Sequence, residues 1–180
     1  MQRKIFRELL SIDAANKKLY SNYRPKTLSA ESIPLNSACG RVLAEDTRAL
    51  LDVPPFDRAS MDGYAVKAED TYKAGEINPV KLKIIGNIRA GVTSPMDISS
   101  GQTAEIATGA PLPLGSDAVV MVEHTTTENG TVNIFKSVTP YENIMLAGSD
   151  INRGEIILRK GDILTAREIG VLAALGMKVV

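Results

Sequence analysis

The sequence is poor in cysteine, histidine and aromatic residues. It has one Cys, one His and no Trp among 180 residues, and aromatic residues make up 4%. A single cysteine cannot form an internal disulfide, and a single histidine cannot complete a Cys/His zinc site. A disulfide-stapled secreted scaffold and a structural zinc module are therefore excluded. Too few aromatic side chains are present to stack on nucleic-acid bases.

The chain also lacks an excess of charge of either sign and any long apolar run. Its 21 Lys and Arg residues balance 21 Asp and Glu residues, so no basic field favours nucleic acid. The longest apolar stretches, such as residues 169–175, are much shorter than the roughly 20 residues that span a bilayer. Charged residues close to Met1 leave no apolar region of a signal peptide. We expect no nucleic-acid partner, no membrane partner and a cytoplasmic location.

Two stretches have the spacing of amphipathic helices. Apolar residues recur at three- and four-residue steps over residues 12–23, directly after the N-cap candidate Ser11. This pattern predicts a helix that ends before Pro25. Residues 165–168 form a capping box that predicts a second helix, and Gly176 suits the C′ position of that helix.

Between Asp52 and about Pro140 the sequence is typical of β-structure, because short β-branched runs alternate with Gly, Pro, Asn and Asp. Asn129-Gly130 predicts a type I′ hairpin turn, from which we expect residues 131–135 to pair with residues 118–122. The predicted strands in this region are Tyr64–Lys67, Val80–Ile85, Thr103–Ala107, Ala118–Val122 and Thr131–Phe135.

Outside this region the strand signals are shorter. Strands are predicted at 28–35, 41–44 and 155–158, and the start of another at 177–180. The fold class is therefore predicted to be mainly β with a few helices, an α+β chain. Because the pattern ends in mid-strand, we expect the sequence to be a piece of a longer protein.

Two polar segments combine groups that can carry chemistry. Residues 53–66 hold two carboxylates, a hydroxyl and a guanidinium just before a predicted strand. Residues 107–113 form a loop in which Gly109 and small neighbours let the backbone approach a ligand. In contrast, residues 86–91 have two glycines without a following helix, which excludes a phosphate-binding glycine loop.

The residues alone do not distinguish a functional role from a purely structural one for either polar segment. Asp62-Gly63 is also typical of a hairpin turn, in which Asp57 and Ser60 bond to nearby backbone amides. Residues 108–111 are also typical of a turn that ends a strand. A carboxylate beside a glycine is too common to indicate a reaction.

Three ordered motifs nevertheless resemble one family over essentially the whole chain. Residues 55–66 resemble the first motif of the MoeA family, the molybdopterin molybdenumtransferases that include the C-terminal region of gephyrin. Residues 107–111 and 115–120, with Glu123, are similar to its second motif. Residues 148–151, with the glycines and the helix that follow, are similar to its third.

The resemblance implies the domain organisation. Residues 1–45 and 141–180 are expected to form one elongated domain, into which a β-rich domain of residues 46–140 is inserted. Family members are considerably longer than this chain. Their pterin-binding α/β domain and C-terminal β-barrel are absent here, so the sequence resembles the N-terminal two-domain portion.

The resemblance also implies the activity. The family inserts molybdenum from molybdate into adenylated molybdopterin with release of AMP, and it depends on a divalent cation, expected to be Mg²⁺. Family members are homodimers whose active cleft is shared between subunits, so this portion alone is expected to be inactive. A molybdopterin adenylyltransferase is a further expected partner.

Six residues are expected in the cleft. Asp62 and Thr108 match residues that support activity, and we expect Asp62 to position Mg²⁺ or a protonated group. Thr108 and the Gly109 amide are expected to donate hydrogen bonds to anionic oxygens, and Arg58 to neutralise phosphate charge. The expected substrate-binding residues are Ser60, Gly63, Gly109 and Arg58.

The sequence departs from the family pattern at one place. Basic residues often precede the Gly-x-Asp-Ile motif, but here residues 143–147 are Asn-Ile-Met-Leu-Ala, so a contact to an anionic ligand is expected to be missing before Gly148. The alternative function is a non-catalytic dimerisation or scaffold module, in which both predicted helices supply subunit contacts. A third interpretation, a stand-alone β-rich ligand-binding module, leaves the three motifs unexplained.

Overall fold

The computed structural model describes residues 9–24, 26, 28–92 and 96–180, which fall into two units, Met1–Ile33 and Pro34–Val180. The helices are α1 (Ile12–Asn22), α2 (Ala68–Thr71) and α3 (Ala166–Ala174), with 3₁₀ turns at Leu35–Ser37 and Val122–His124. The strands are β1 (Thr47–Arg48), β2 (Arg58–Ala59), β3 (Gly63–Val66), β4 (Val80–Ile88), β5 (Gln102–Ile106), β6 (Ala118–Met121), β7 (Thr125–Glu128), β8 (Thr131–Ile134), β9 (Ile144–Met145) and β10 (Ile156–Leu158). The chain is mostly β with a few helices, as predicted.

The first unit contains α1. The Ser11 side chain accepts a hydrogen bond from the Ala14 amide at 3.2 Å, which confirms the predicted N-cap. The helix ends at Asn22, and the Tyr23 amide donates to the Leu19 carbonyl oxygen. Pro25, which marks the predicted end, and residues 1–8 lie outside the described residues.

The second unit is organised around a six-stranded sheet in the order β6-β3-β5-β4-β8-β7. Neighbouring strands are antiparallel except for β4 and β5, which are parallel. Alternate residues of β3 belong to two apolar clusters, since Tyr64 and Val66 lie in one and Ala65 lies in the other. The sheet is thus covered on both sides, which explains the continuous apolar run of β6.

The predicted hairpin turn forms, but the predicted partner strand is wrong. Asn129 and Gly130 have φ of 50° and 77°, as a type I′ turn requires. The turn joins β8 to β7, whereas β6 pairs with β3. Strand β7 lies at the sheet edge and three of its four residues are exposed. It therefore carries no apolar alternation that would reveal it in the sequence.

Short predicted strands near both ends of the chain are corrected by the structure. Residues 28–33 form no strand, and Leu35 begins a 3₁₀ turn instead. Residues 41–44 contribute one bridge, from Val42 to Ile163, and residues 177–180 one bridge, from Val179 to Pro34. Only the prediction at 155–158 is confirmed, as β10, which pairs with β1. Single bridges are too short to make a ladder from these stretches.

Helix α3 has the predicted capping box. The Glu168 carboxylate accepts hydrogen bonds from the Thr165 amide at 2.9 Å and from the Thr165 hydroxyl, while Thr165 accepts one from the Arg167 amide. The Thr165 hydroxyl, then the Arg167 side chain and the Thr165 amide, lower the pKa of the Glu168 carboxyl to about 2 by bonding to its charged form. Leu172 is fully buried, and Gly176 follows the C-cap with a φ of 76°. Of the helices in the described ranges, none has the length and apolar character to cross a membrane.

Candidate functional site

The candidate site lies at one edge of the six-stranded sheet. There β3 begins, while β4, β5 and β6 end, because Gly63 pairs with both Ile106 and Met121 and Ile88 pairs with Ile106. Residues just outside these strand ends therefore meet. They include Asp62 before β3, Arg89 after β4, residues 107–108 after β5 and Val122 after β6.

A cleft of about 570 Å³ opens at this edge. Its lining combines polar and charged groups with a few apolar ones from all four strand ends. The lining residues are Asp62, Gly63, Tyr64, Asn87, Arg89, Glu105, Ile106, Ala107 and Val122. A volume in this range suits a small-molecule ligand.

The two predicted catalytic residues are brought into direct contact. The Thr108 amide and the Thr108 hydroxyl each donate a hydrogen bond to Asp62 Oδ1 at 2.7 Å. The Asp62 carbonyl oxygen in turn accepts a bond from the Val122 amide at 3.1 Å. Both the backbone and the side chain of Asp62 are thus held in place.

These bonds set the charge of Asp62. The Thr108 backbone amide, followed by the Thr108 hydroxyl, holds the pKa of the Asp62 carboxyl below its ordinary value. Asp62 is exposed, and its Oδ2 has no hydrogen-bond partner among the residues the structure describes. The site therefore presents a charged carboxylate in the cleft lining, with one oxygen held by Thr108 and the other not engaged by the described residues.

Gly63 also lies in the cleft lining, and strand packing requires its lack of a side chain. A Cβ at this position would lie 1.9 Å from the carbonyl oxygen of Val120 on the neighbouring strand. Only glycine allows β3 and β6 to pair here. The packing of the strands explains this residue without any contact to a ligand.

Gly109 is engaged within the chain. Its φ is +80°, and its amide donates to the Ala59 carbonyl oxygen at 2.8 Å. Because both donors of Thr108 are directed at Asp62, the Gly109 amide and Thr108 are not free donors for anionic oxygens, contrary to the hypothesis drawn from the sequence. The geometry gives Thr108 a positioning role toward Asp62.

Arg58 and Ser60 are not part of the cleft lining. Arg58 lies on β2, which pairs with β9, and its Nη2 donates to the Met145 sulfur at 3.0 Å. The Ser60 amide donates to the Asn143 carbonyl oxygen at 3.0 Å. Both residues thus lie outside the cleft lining, but β2 is bonded to residues 109–111 directly after Thr108, and their role in substrate binding stays a prediction.

Asp57 does not make the local turn contact that the structural interpretation suggests. Its Oδ1 accepts a hydrogen bond from the Ala147 amide at 2.8 Å, although 90 positions separate the two residues. Asp57 therefore fastens the loop before Gly148 to the segment before β2. Its role in this structure is to connect two distant parts of the chain.

The residues around Asp62 do not form a metal site by themselves. The described part of the chain contains no group of three or more His, Cys, Asp or Glu side chains placed to hold a metal ion. Asp62 also has one of its two oxygens engaged by Thr108. Because Mg²⁺ commonly binds only one or two carboxylates together with waters and substrate phosphates, the Mg²⁺ expected at Asp62 stays a prediction.

The three ordered motifs and the β-rich fold agree with the comparison against family sequence models. Residues 10–176 match the model of the MoeA N-terminal region (domain I and II). The chain belongs to the MoeA family.

Relatives with established names give the same assignment. The chain is 40% identical over 145 residues to a molybdopterin molybdenumtransferase of Staphylococcus epidermidis, covering 81% of this chain and 35% of that protein. It is also 40% identical over 146 residues to molybdopterin molybdenumtransferase 2 of Mycobacterium tuberculosis, covering 81% of this chain and 36% of that protein. The relatives are named as enzymes, and this MoeA-family chain spans about a third of their length.

A solved structure extends the agreement to the fold. The molybdopterin biosynthesis MoeA protein of Pyrococcus horikoshii superposes with a TM-score of 0.81 at 42% sequence identity. The match covers 83% of this chain and 38% of that one. The recognition of the family from its motifs is thus confirmed, and so is the MoeA-like β-rich fold.

Four polar residues of the cleft in this MoeA-family chain were not predicted from the sequence as site residues. Tyr64, Asn87, Arg89 and Glu105 line it beside Asp62. Burial, and then the negative charge of Glu105, raise the pKa of the Tyr64 phenol. Asn87, Glu105 and Tyr64 lie in one row across β4, β5 and β3. Only knowledge of this strand pairing would have revealed them, since no local motif contains all four.

Proposed function

We propose that this chain is the N-terminal portion of a molybdenum cofactor biosynthesis enzyme that inserts molybdenum from molybdate into adenylated molybdopterin with release of AMP. The observation that carries the proposal is the Asp62–Thr108 contact at the cleft of a chain whose residues 10–176 match the MoeA N-terminal region. The proposal includes a cytoplasmic enzyme and a molybdopterin adenylyltransferase that supplies the adenylated substrate.

In this proposal Asp62 acts as a fixed negative group. Thr108 orients the carboxylate through Oδ1 and keeps it ionised, which leaves Oδ2 to accept a hydrogen bond from a protonated group of the ligand. A group fixed in this way loses little freedom when the ligand binds. Oδ2 is also the oxygen through which Asp62 would contact the expected Mg²⁺.

The rest of the catalytic machinery is proposed to come from the downstream part of the protein. The chain spans 35% and 36% of the two relatives named as transferases, so most of such an enzyme lies beyond it. We infer a homodimer in which this cleft and downstream domains of the partner subunit enclose the substrates together. Residues 1–45 with 141–180, and residues 46–140, are retained as the proposed domains.

The decisive experiment measures molybdenum insertion into adenylated molybdopterin. This chain is assayed alone and mixed with a separately expressed downstream half of a family member. Turnover only in the mixture supports the proposal, whereas turnover by the chain alone shows that the whole site lies within these residues. No turnover in the mixture, while the downstream half is active with the N-terminal portion of its own protein, would contradict the proposed activity.

Variants then assign the activity to the cleft. Asp62→Asn should abolish turnover and retain pterin binding in the mixture, because the negative charge is lost while the shape is kept. Glu76→Gln removes an exposed carboxylate outside the cleft lining and should leave turnover unchanged. Turnover of Asp62→Asn at the rate of the unmodified chain would remove Asp62 from the mechanism.

A second candidate function is the dimerisation or scaffold module. Helix α1 favours it, because none of its described residues is buried and Ile12, Leu19 and Tyr20 are each more than half exposed. Helix α3 does not, since its apolar residue Leu172 is already buried within the chain. Sedimentation of the chain distinguishes the two candidates in combination with the assay. A dimer that supports no turnover favours the scaffold, and a strict monomer at high concentration counts against it.

A further inference from the structure

Arg89 supplies the cleft with a cationic group that has no partner among the residues the structure describes. It is exposed, and it makes no ion pair or side-chain hydrogen bond with any residue in the described ranges. It is also the one Lys or Arg among the residues that line the cleft. The five N–H donors of its guanidinium group are therefore available to a ligand.

Strand pairing places Arg89 at the same end of the sheet as the Asp62–Thr108 contact. Ile88 pairs with Ile106, and the Ala107 amide donates to the Ile88 carbonyl oxygen at 3.0 Å. Arg89 thus directly follows Ile88, whose carbonyl oxygen accepts the bond from Ala107. Ala107 in turn directly precedes Thr108. A ligand that reaches Asp62 through the cleft also comes within reach of this segment.

The other charges of the lining are negative. Asp62 and Glu105 both line the cleft, and neither lies within ion-pair distance of Arg89. Two carboxylates disfavour an anionic ligand, so an anionic group can be held only where the guanidinium offsets them. The planar fork of arginine donates two parallel hydrogen bonds to a tetrahedral oxyanion or to a carboxylate.

We propose that Arg89 is the residue through which this cleft binds a tetrahedral oxyanion of its ligand. The inference rests on the proposed function, whose substrates offer two sources of that chemistry, the phosphate group of an adenylate and free molybdate. The negative charge of Glu105 repels the oxyanion. Arg89 and Glu105 therefore set the affinity of the cleft for oxyanions in opposite directions.

The test titrates AMP and, separately, molybdate into the isotope-labelled chain and follows the amide resonances of Ala90 and Ala107. Perturbation by AMP identifies a phosphate group as the bound oxyanion, and perturbation by molybdate identifies the free oxyanion. Arg89→Gln should weaken the observed binding roughly tenfold to a hundredfold, the range expected for loss of a hydrogen bond to a charged group. Arg89→Lys should restore it in part, because lysine keeps the charge without the fork.

Two further variants test whether binding depends on the charges that line the cleft or only on the overall charge of the chain. Glu105→Gln should tighten binding several-fold by removing a repulsive charge. Lys83→Gln removes an exposed cation of the same strand that does not line the cleft, and it should leave binding unchanged. Equal binding by Arg89→Gln and the unmodified chain would overturn the proposal, and so would the absence of any perturbation by either anion at millimolar concentration.

The same variants in the mixed turnover assay distinguish this inference from the proposed function. An unchanged KM for both substrates in Arg89→Gln, with normal turnover, overturns the role of Arg89 and leaves the proposed function intact. Oxyanion binding that depends on Arg89, in a chain that supports no molybdenum insertion, leaves Arg89 as the oxyanion-binding residue and removes the proposed function.

Discussion

Asp62 Oδ1 accepts two hydrogen bonds from one residue, Thr108, across 46 positions of sequence. The first donor is the backbone amide and the second is the hydroxyl, both at 2.7 Å. Because the turn after β5 directs both donors at one oxygen, the carboxylate is held ionised and oriented without a cationic partner from the described part of the chain. The contact joins the first and second family motifs in space.

Replacement of Thr108 tests this contact. Thr108→Val removes the hydroxyl and keeps the amide, so the pKa of Asp62 should rise part of the way toward its ordinary value. Thr108→Ser keeps the hydroxyl and should leave that pKa low. Carboxyl carbon NMR of Asp62 during an acid titration measures the difference. Identical titration curves for the two variants would show that the hydroxyl bond does not stabilise the charge.

Two glycines should respond to alanine in opposite directions. Gly63→Ala places a Cβ against the Val120 carbonyl oxygen, and the free energy of unfolding should fall by about 1–3 kcal/mol or more. Gly170 lies inside α3 with open space around its Cβ position, so Gly170→Ala should raise the free energy of unfolding by about 0.5–1 kcal/mol. Urea denaturation of both variants provides the measurement. A neutral Gly63→Ala would contradict the close approach of β3 to β6.

The capping box of α3 should make stability depend on pH in the acid range. The folded-state pKa of Glu168 is lowered from 4.5 to about 2, so its contribution is present above pH 4.5 and is lost as the pH falls toward 2. Glu168→Gln removes this group, and unfolding should then take up about one proton fewer between these pH values. Denaturation midpoints measured at several pH values test the prediction. Parallel pH profiles for both proteins would contradict the lowered pKa.

The phenol of Tyr64 should report the charge of Glu105. Glu105→Gln removes the smaller of the two causes that raise the pKa of Tyr64, so this pKa should fall but stay above its ordinary value, since burial remains. The ring carbon resonance of Tyr64, followed between neutral and alkaline pH, measures the change. Glu123→Gln serves as a control, because Glu123 does not line the cleft. An unchanged titration in Glu105→Gln would show that Glu105 does not act on the phenol.

Local sequence rules predicted the parts of this fold that local interactions determine. The capping residues Ser11 and Thr165 act within one helical turn, and the Asn129-Gly130 turn needs only its own backbone angles. The partner of that turn was predicted wrongly, because an exposed edge strand such as β7 carries no apolar pattern. The prediction at 28–35 failed for a related reason, as short apolar runs do not reveal whether a partner strand exists.

The candidate site also combines residues that local motifs predict with residues that only long-range strand pairing brings together. Motif resemblance predicted Asp62 and Thr108 as two cleft residues with separate roles, and the structure brings them into contact. Arg89 and Glu105 were missed because they reach Asp62 only through the parallel pairing of β4 with β5 and the antiparallel pairing of β5 with β3. Such long-range pairing is not encoded in any one segment. The Gly109 amide was expected to donate to a ligand, but it donates to the Ala59 carbonyl oxygen, an acceptor that the sequence does not reveal.

Because the cleft lies at the strand ends, residues that the core needs for packing alternate there with residues that only the cleft uses. Ile88 and Ile106 are almost completely buried, whereas Asn87, Arg89 and Glu105 beside them are exposed. A substitution at the exposed positions changes the charge and the hydrogen-bonding groups of the cleft without opening a cavity in the core. Within the family, single substitutions at these exposed positions can therefore change which ligand the cleft binds with little loss of folding stability.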